Sequence, residues 1–355
     1  MATLKQRQMS DLAHWRREKY THPELRFLFV EMTQQCNERC LHCGSRCDSS
    51  KSPEVPADTL VSILSDVAQR IDISKTMLCV TGGEPLLRRD FFDLMKRLSR
   101  IGYQWGMTTN GTLISPEVAR RLAECKMSTI SVSVDGLEST HDRFRCSPGS
   151  FRKAIEGVQN LLDVGAFSHV QITTVVHKWN IGELDEMLDE FDKLDIDSWR
   201  LACIEPIGRA LENPELMLDG DDLRTLMNFI HDKRRLGYPI DYGCCHYLGE
   251  ALEHEVRDAY FLCNAGICIA SIMANGDIGS CLDIERRPET IMGNVYEDDF
   301  LDVWNKRFDP LRRELAELDA TCQGCPEREF CAGGSWHSFD FDKRHQRICM
   351  KGTLF

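Results

Sequence analysis

The sequence predicts an α/β fold built on a parallel sheet, and three observations support this prediction. Residues 26–204 alternate six strand-like apolar runs with five helical patterns, which is typical of β-α repeats joined by right-handed crossovers. Polar or glycine-rich stretches follow four of these strands, at the face where ligands bind in barrel-like folds. The chain of 355 residues can also bury a sizeable core. The repeats alone allow an open sheet or a partial barrel.

The elements follow one another in a regular order. The predicted strands are short apolar runs at 27–33, 77–81, 104–109, 129–134, 170–176 and 199–204. The predicted helices lie between them at 58–71, 90–101, 116–124, 151–164 and 181–194, with another at 221–236. Residues 1–24 are polar and predict a short surface helix or arm.

Composition excludes several classes of protein. The net charge is −13 and no run of lysine or arginine occurs, which argues against nucleic-acid binding but permits a basic partner. No apolar run approaches the ~20 residues that span a bilayer, so we expect no membrane segment. Seventeen cysteines without an export signal indicate metal sites in a reducing cytoplasm rather than disulfides.

The stretch Cys36-x3-Cys40-x2-Cys43 leaves the first predicted strand. Three thiolates can hold three corners of a four-iron cluster, whereas a closed cluster needs four cysteines, so one iron would remain open. A zinc knuckle or scattered free thiols would be the simpler interpretation.

A second motif in the sequence favours an iron–sulfur cluster at this loop. The sequence Gly-Gly-Glu-Pro follows the second predicted strand, and with the cysteine loop it resembles the radical S-adenosylmethionine (SAM) superfamily. The resemblance implies a partial (β/α)6 barrel in which the open iron binds SAM, whose reductive cleavage gives a 5′-deoxyadenosyl radical that abstracts hydrogen from substrate. It also implies SAM contacts from residues that follow the strands: His42, Gly82, Gly83, Glu84, Asn110, Ser133, Asp135 and Arg145. For two of these, a surface ion pair for Arg145 and a solvent-facing ring for His42 are the alternatives.

The cysteines resume from residue 263 with a spacing that resembles the SPASM extension, a small domain with auxiliary iron–sulfur clusters. The resemblance implies a closed cluster on Cys322, Cys325, Cys331 and Cys349, and a first auxiliary site on Cys263, Cys268 and Cys281. The family has a further cysteine where this chain has Ser335, so Ser335, His337, another cysteine or an open iron would complete that site. Zinc ribbons are the alternative for the tail. We expect an arm at 1–24, a barrel at 25–240 and a SPASM domain at 241–355, the last with a β-hairpin and short helices.

The resemblance implies an enzyme with SAM, a radical SAM [4Fe-4S] cluster and one or two auxiliary [4Fe-4S] clusters, reduced by a flavodoxin- or ferredoxin-type donor. Peptide or protein modification, such as crosslinking, epimerisation or oxidation, is the first expectation. A tetrapyrrole or other small molecule is the alternative substrate, and a non-catalytic iron–sulfur or zinc protein is the alternative outside enzymes. The candidate catalytic residues are Cys244 and Cys245, as thiols that return hydrogen to a substrate radical, and Asp283, as a base. Glu205 is a second candidate base.

Overall fold

A computed structural model describes residues 3–243 and 245–355. Ten strands form one sheet in the order β10-β9-β8-β1-β2-β3-β4-β5-β6-β7, and a small hairpin forms a second sheet. The strands of the large sheet are β1 Phe27–Glu31, β2 Met77–Thr81, β3 Gln104–Thr109, β4 Thr129–Ser133, β5 His169–Val176, β6 Ser198–Cys203, β7 Ile240–Tyr242, β8 Ile269–Ile272, β9 Asp277–Gly279 and β10 Ile291–Asn294, and those of the hairpin are β11 Phe339–Asp340 and β12 His345–Gln346.

The strands β1 to β7 are parallel to their neighbours, so their carboxyl ends meet at one edge of the sheet. Helices connect them. The helices are α1 Leu4–Thr21, α2 Ala57–Arg70, α3 Phe91–Ile101, α4 Pro116–Glu124, α5 Glu138–Phe144, α6 Ser150–Val164, α7 Leu184–Phe191, α8 Gly220–Arg235, α9 Phe300–Lys306 and α10 Arg328–Cys331. The predicted α/β fold with a parallel core and a cysteine-rich tail that contains a hairpin is confirmed.

Local chemistry explains why these elements form. In α3, Phe91, Leu94, Met95 and Leu98 are buried, and this spacing places them on one helical face toward the sheet. Ser115 caps α4, because its hydroxyl accepts a hydrogen bond from the amide of Val118 over 3.2 Å.

The tail extends the sheet of the barrel. The strand β8 pairs with β1 in parallel, in the register Phe27↔Ile269, and β9 returns antiparallel to β8. The turn between them contains Gly276, whose φ of +92° suits the predicted tight hairpin. The sequence indicated the hairpin but not its partner, because β1 lies more than two hundred residues away.

The amino-terminal helix α1 packs against the tail. Its Met9 and Ala13 are buried, and the buried Arg16 donates hydrogen bonds to the carbonyls of Phe330 and Glu329. The predicted helix is therefore present, and one face of it is covered rather than exposed. Among the residues that the structure describes, no helix combines the length and apolar character that crossing a membrane requires.

Candidate functional site

The cysteine loop leaves β1 at the carboxyl edge of the sheet. Its backbone is held by hydrogen bonds from Cys36 N to Asp48 O, over 2.6 Å, and from Cys43 N to Cys40 O, over 3.3 Å. Cys36 and Cys40 are buried, and Cys43 is half-buried. Burial raises the pKa of Cys36 to about 11, because a thiolate loses its hydration there. The two buried thiols are therefore neutral in the bare loop and must lose protons when they bind iron.

The loop after β6 holds the cysteine loop in place, and we did not predict this role. The buried guanidinium of Arg209 donates to the carbonyls of Cys40 and Cys47 over 2.7 Å each. Gly208 has a φ of +54°, and a Cβ there would lie 2.4 Å from the carbonyl oxygen of Cys43. Glycine is therefore required for the two loops to approach so closely. Both residues follow the sixth predicted strand, which is the signal that could have identified them.

A fourth cysteine, Cys47, lies beside the loop and was not among the predicted ligands. Its amide donates to the sulfur of Cys43 over 3.4 Å. Its buried side chain also hydrogen-bonds that sulfur, which lowers the pKa of Cys43 to about 6. Its position, four residues after Cys43, is the signal that could have identified it.

The Gly-Gly-Glu-Pro turn follows β2 and packs against the start of the cysteine loop. We expected Gly82 and Gly83 to let the backbone approach a ligand. In the structure, a Cβ on Gly82 would lie 2.5 Å from Thr33 O, and one on Gly83 would lie 2.3 Å from Gln35 O. The close neighbour of both glycines is therefore protein backbone, and the turn fixes where the cysteine loop begins.

Glu84 is fully buried beneath this turn and joins two loops. Its carboxylate accepts hydrogen bonds from the hydroxyl of Thr109 over 2.8 Å, from the amide of Asn110 over 3.0 Å and from the amide of Leu86 over 3.2 Å. Burial raises its pKa to about 7, and these three hydrogen bonds oppose that rise.

Arg145 lies in a buried network and is not a surface ion pair. Its guanidinium pairs with Glu38 over 2.9 Å and with Asp135 over 2.7 Å. Burial alone would raise the pKa of Asp135, but the adjacent guanidinium lowers it to about 2. The network joins the cysteine loop, the end of β4 and the end of α5, so it fixes their relative positions.

The ring of His42 is half-buried and packs against another aromatic ring. It stacks on Phe144 with ring centroids 4.6 Å apart and an interplanar angle of 3°. Phe144 in turn stacks on His177 at 3.9 Å. Burial lowers the pKa of His42 to about 4, so the imidazole is neutral near pH 7.

Asn110 and Ser133 also lie at this edge. The side-chain amide nitrogen of Asn110 donates to Asn37 Oδ1 over 2.9 Å and lies 3.9 Å from the sulfur of Cys36. Ser133 is half-buried and ends β4, in register with Thr173. The structure thus gathers the predicted residues that follow β1 to β4 around the cysteine loop.

The second group of tail cysteines shares one cavity. It is about 100 Å³ in volume, and its lining includes four thiols, those of Cys322, Cys325, Cys331 and Cys349. The amine of Lys351 lies 3.6 Å from the sulfur of Cys325. Four cysteines around one space are the donor set that a closed cluster needs.

The first group of tail cysteines is more dispersed. Cys281 lies beside Asp283, with 3.8 Å between its sulfur and the carboxylate, and both are close to His337. Cys263 lines a different cavity together with Cys331. Cys268 is buried near the charges of Glu24 and Arg26, before β8 begins. Among the described residues, neither Cys263 nor Cys268 belongs to the compact group around Cys281.

The remaining catalytic candidates lie between barrel and tail. Cys245 is half-buried, and Cys244 lies outside the described residues. Glu205, just after β6, approaches the buried imidazole of His246 to 3.3 Å. The thiol of Cys203 completes this group, because its sulfur, a carboxylate oxygen of Glu205 and a ring nitrogen of His246 all lie within 4.8 Å of one another. The sequence analysis did not predict this group.

Comparison with known proteins identifies the family. Residues 30–191 match the model of the radical SAM superfamily, and residues 263–326 match that of SPASM, an iron–sulfur cluster-binding domain. A Fe-coproporphyrin III synthase of Methanosarcina barkeri is 30% identical over 335 residues, which cover 85% of this chain and 81% of the relative. The chain belongs to the radical SAM superfamily and has a SPASM domain.

Other relatives of this radical SAM chain have different functions. An AdoMet-dependent heme synthase of M. barkeri is 28% identical over 87% of the chain and 90% of the relative. Mycofactocin maturase MftC of Mycobacterium tuberculosis is 28% identical over 86% of the chain and 76% of the relative. The structure of Streptococcus suis SuiB bound to the precursor peptide SuiA has the same fold, with a TM-score of 0.72, 20% identity and coverage of 95% of this chain and 78% of SuiB.

A radical SAM enzyme with a SPASM domain uses SAM and [4Fe-4S] clusters, and the residues present fit both. The cysteine loop offers three thiols, one fewer than a closed cluster needs, so it can leave one iron for SAM. The buried Nδ1 of His42, which has no hydrogen-bond partner in the part of the chain that the structure describes, supplies a polar atom at this loop. When bound, SAM and the reduced cluster supply a radical that removes hydrogen from unactivated carbon.

Proposed function

We propose that this radical SAM enzyme oxidises a tetrapyrrole that carries carboxylate side chains, by removing hydrogen from one of its carbon atoms. The observation that carries the proposal is the relative at 30% identity, a Fe-coproporphyrin III synthase that the chain matches over most of both lengths. The heme synthase at 28% identity supports the same substrate class.

The proposal assigns the cluster ligands and the domains. Cys36, Cys40 and Cys43 would hold the cluster that binds SAM. Arg209 and Gly208 would fix the position of their loop through the contacts described above. The four tail thiols that share a cavity would hold an auxiliary cluster. The barrel would extend over 25–240 and the SPASM domain over 241–355, after an arm at 1–24. A flavodoxin- or ferredoxin-type protein would supply electrons in the cytoplasm.

An arginine of the tail supports a carboxylate-bearing substrate. Arg286 follows β9 and reaches back to the barrel, where its guanidinium contacts the carboxylate of Glu31 and donates to the hydroxyl of Ser45 over 2.9 Å. Ser45 lies two residues after Cys43. A cation thus borders the cysteine loop, and a guanidinium fork matches the geometry of a carboxylate. A propionate group of the substrate would exchange for the hydroxyl of Ser45.

Aromatic rings beside the cysteine loop would shield the reacting carbon of the substrate from water. The ring of His42, supported from the interior by the stacked rings of Phe144 and His177, would form a wall beside the cysteine loop. The neutral state of His42 keeps charge out of this wall. A site without water near the reacting groups limits side reactions of a reactive radical.

The test uses the full chain, reconstituted without oxygen and supplied with SAM and a reductant. Iron tetrapyrroles with free carboxylate side chains, Fe-coproporphyrin III and its more highly carboxylated precursors among them, are compared with their carboxylate esters by titration of the tetrapyrrole absorbance and by formation of 5′-deoxyadenosine. We expect the free acid to bind and to increase SAM cleavage at least tenfold, and the ester to do neither. If the acid and the ester behave alike, or neither affects the enzyme, the proposal is wrong.

A peptide is the second candidate substrate, favoured by the 28% identity to a maturase over 86% of the chain. The fold shared with peptide-bound SuiB accommodates this candidate. The same assay distinguishes the two candidates when short peptides encoded beside the gene are supplied in place of the tetrapyrrole. Stimulation of SAM cleavage by a peptide, with a mass change in that peptide and no response to the porphyrin, would establish the second candidate.

A further inference from the structure

The first auxiliary site lacks one cysteine of the SPASM pattern, and the structure indicates what replaces it. The pattern has cysteine at the position of Ser335. This serine is 1% exposed, and its hydroxyl lies 3.4 Å from that of Ser338. The hydroxyl of Ser338 in turn donates to Gln346 over 3.0 Å. The Ser335 hydroxyl therefore already belongs to a hydrogen-bonded chain, and an alcohol is a poor ligand for iron compared with thiolate or imidazole.

His337, two residues further on, has one ring nitrogen that no described residue hydrogen-bonds. The side chain is 7% exposed, and its Nδ1 is buried without a hydrogen-bond partner among the described residues. A buried nitrogen in that state costs free energy unless a ligand occupies it. The imidazole, the sulfur of Cys281 and a carboxylate oxygen of Asp283 all lie within 4.8 Å of one another. Three potential metal ligands thus converge around Cys281, one of the three cysteines that the spacing assigns to the first auxiliary cluster.

We infer that His337, beside Cys281, would be a ligand of the first auxiliary cluster. The inference does not depend on which substrate the enzyme oxidises. It has an electronic consequence, because a neutral imidazole in place of a thiolate makes the cluster less negative. Histidine ligation raises the reduction potential of iron–sulfur centres for this reason. The first auxiliary cluster should therefore accept an electron more readily than its all-cysteine equivalent.

The test isolates the tail clusters in the full chain. A Cys36→Ala, Cys40→Ala, Cys43→Ala parent removes the cluster that binds SAM, together with any nitrogen signal from its surroundings. The parent is labelled with 15N only in histidine and reconstituted and reduced without oxygen. Pulsed electron paramagnetic resonance then measures hyperfine coupling between the cluster and 15N. We expect one strongly coupled histidine nitrogen.

Variants of this parent assign that coupling. His337→Cys should retain the iron of the parent, about eight atoms per chain, lose the 15N coupling and show a lower reduction potential. Asp283→Asn and Ser335→Ala are the matched controls, and both should retain the coupling. The iron retained by His337→Cys distinguishes loss of a ligand from loss of the fold.

Three results would overturn the inference. The parent could show no 15N coupling, or the coupling could persist in His337→Cys. Metal analysis could instead find one zinc per chain that is lost in His337→Cys, which would make the group around Cys281 a single-ion site.

Discussion

Replacing Arg145 with methionine should destabilise the chain far more than the loss of an ordinary arginine. The side chains of Glu38 and Asp135 are 0% and 1% exposed, and one guanidinium that is 7% exposed pairs with both. Methionine would leave two buried carboxylates without a cation. Removing one partner of such a buried network costs about 3–5 kcal/mol, which corresponds to roughly 4–7 °C in Tm for a chain of this size.

The pH dependence of this loss identifies its cause. In the wild type, the lowered pKa of Asp135 stabilises the fold above its ordinary pKa, and this contribution disappears only as the pH falls toward 2. In the methionine variant the pKa should rise instead, because burial then acts unopposed. The deficit should therefore be largest at pH 8 and shrink toward pH 5.

The assay is urea denaturation of the full chain, followed by tryptophan fluorescence at pH 5 and pH 8 without oxygen. Arg143→Met is the matched control, since Arg143 is exposed and lies 3.7 Å over the ring of Trp179, a contact worth about 0.5–1 kcal/mol. A triple variant that also carries Glu38→Gln and Asp135→Asn should recover much of the loss. If Arg145→Met costs no more than Arg143→Met, the buried network does not exist as described.

Two further predictions concern the loops that meet at the cysteine loop. Gly208→Ala should abolish binding of about four irons per chain, because its Cβ would meet the carbonyl of Cys43. The measurement is iron analysis of the reconstituted chain. The control is Gly182→Ala, which should bind iron normally because a Cβ there would have no atom within 4 Å. The Glu84 carboxyl, with its pKa raised to about 7, stabilises the cluster-free fold below pH 4.5, and this contribution of about 3 kcal/mol is lost as the pH rises through 7. Urea midpoints from pH 5 to pH 8 should show this decline in the wild type and not in Glu84→Gln, and equal slopes would contradict it.

The sequence was most informative where chemistry repeats locally. The alternation of apolar runs predicted β1 to β6 because each strand carries its own pattern, and the motifs after the strands predicted which residues gather at the carboxyl edge. The short helix α5 was missed because its polar sequence has no apolar stripe. The strand β7 has three residues, too few for periodicity to be visible.

Relationships between distant segments were beyond the sequence. The sequence could not show that Arg145 faces both Glu38 and Asp135, or that Arg209 holds the cysteine loop, because these contacts depend on how the loops fold together. The sequence could not show that the glycines at 82 and 83 lie against the backbone of Thr33 and Gln35. The tail spacing indicated cluster sites, whereas only the structure placed His337 beside Cys281.

The central claim is that Cys36, Cys40 and Cys43 hold the cluster that cleaves SAM. The most direct measurement is formation of 5′-deoxyadenosine and methionine by the reconstituted chain and by its Cys36→Ala, Cys40→Ala, Cys43→Ala variant, with iron counted in both. The account predicts cleavage by the wild type, and none by the variant, which should lose about four irons and keep those of the tail. Cleavage of SAM by the variant would contradict the account.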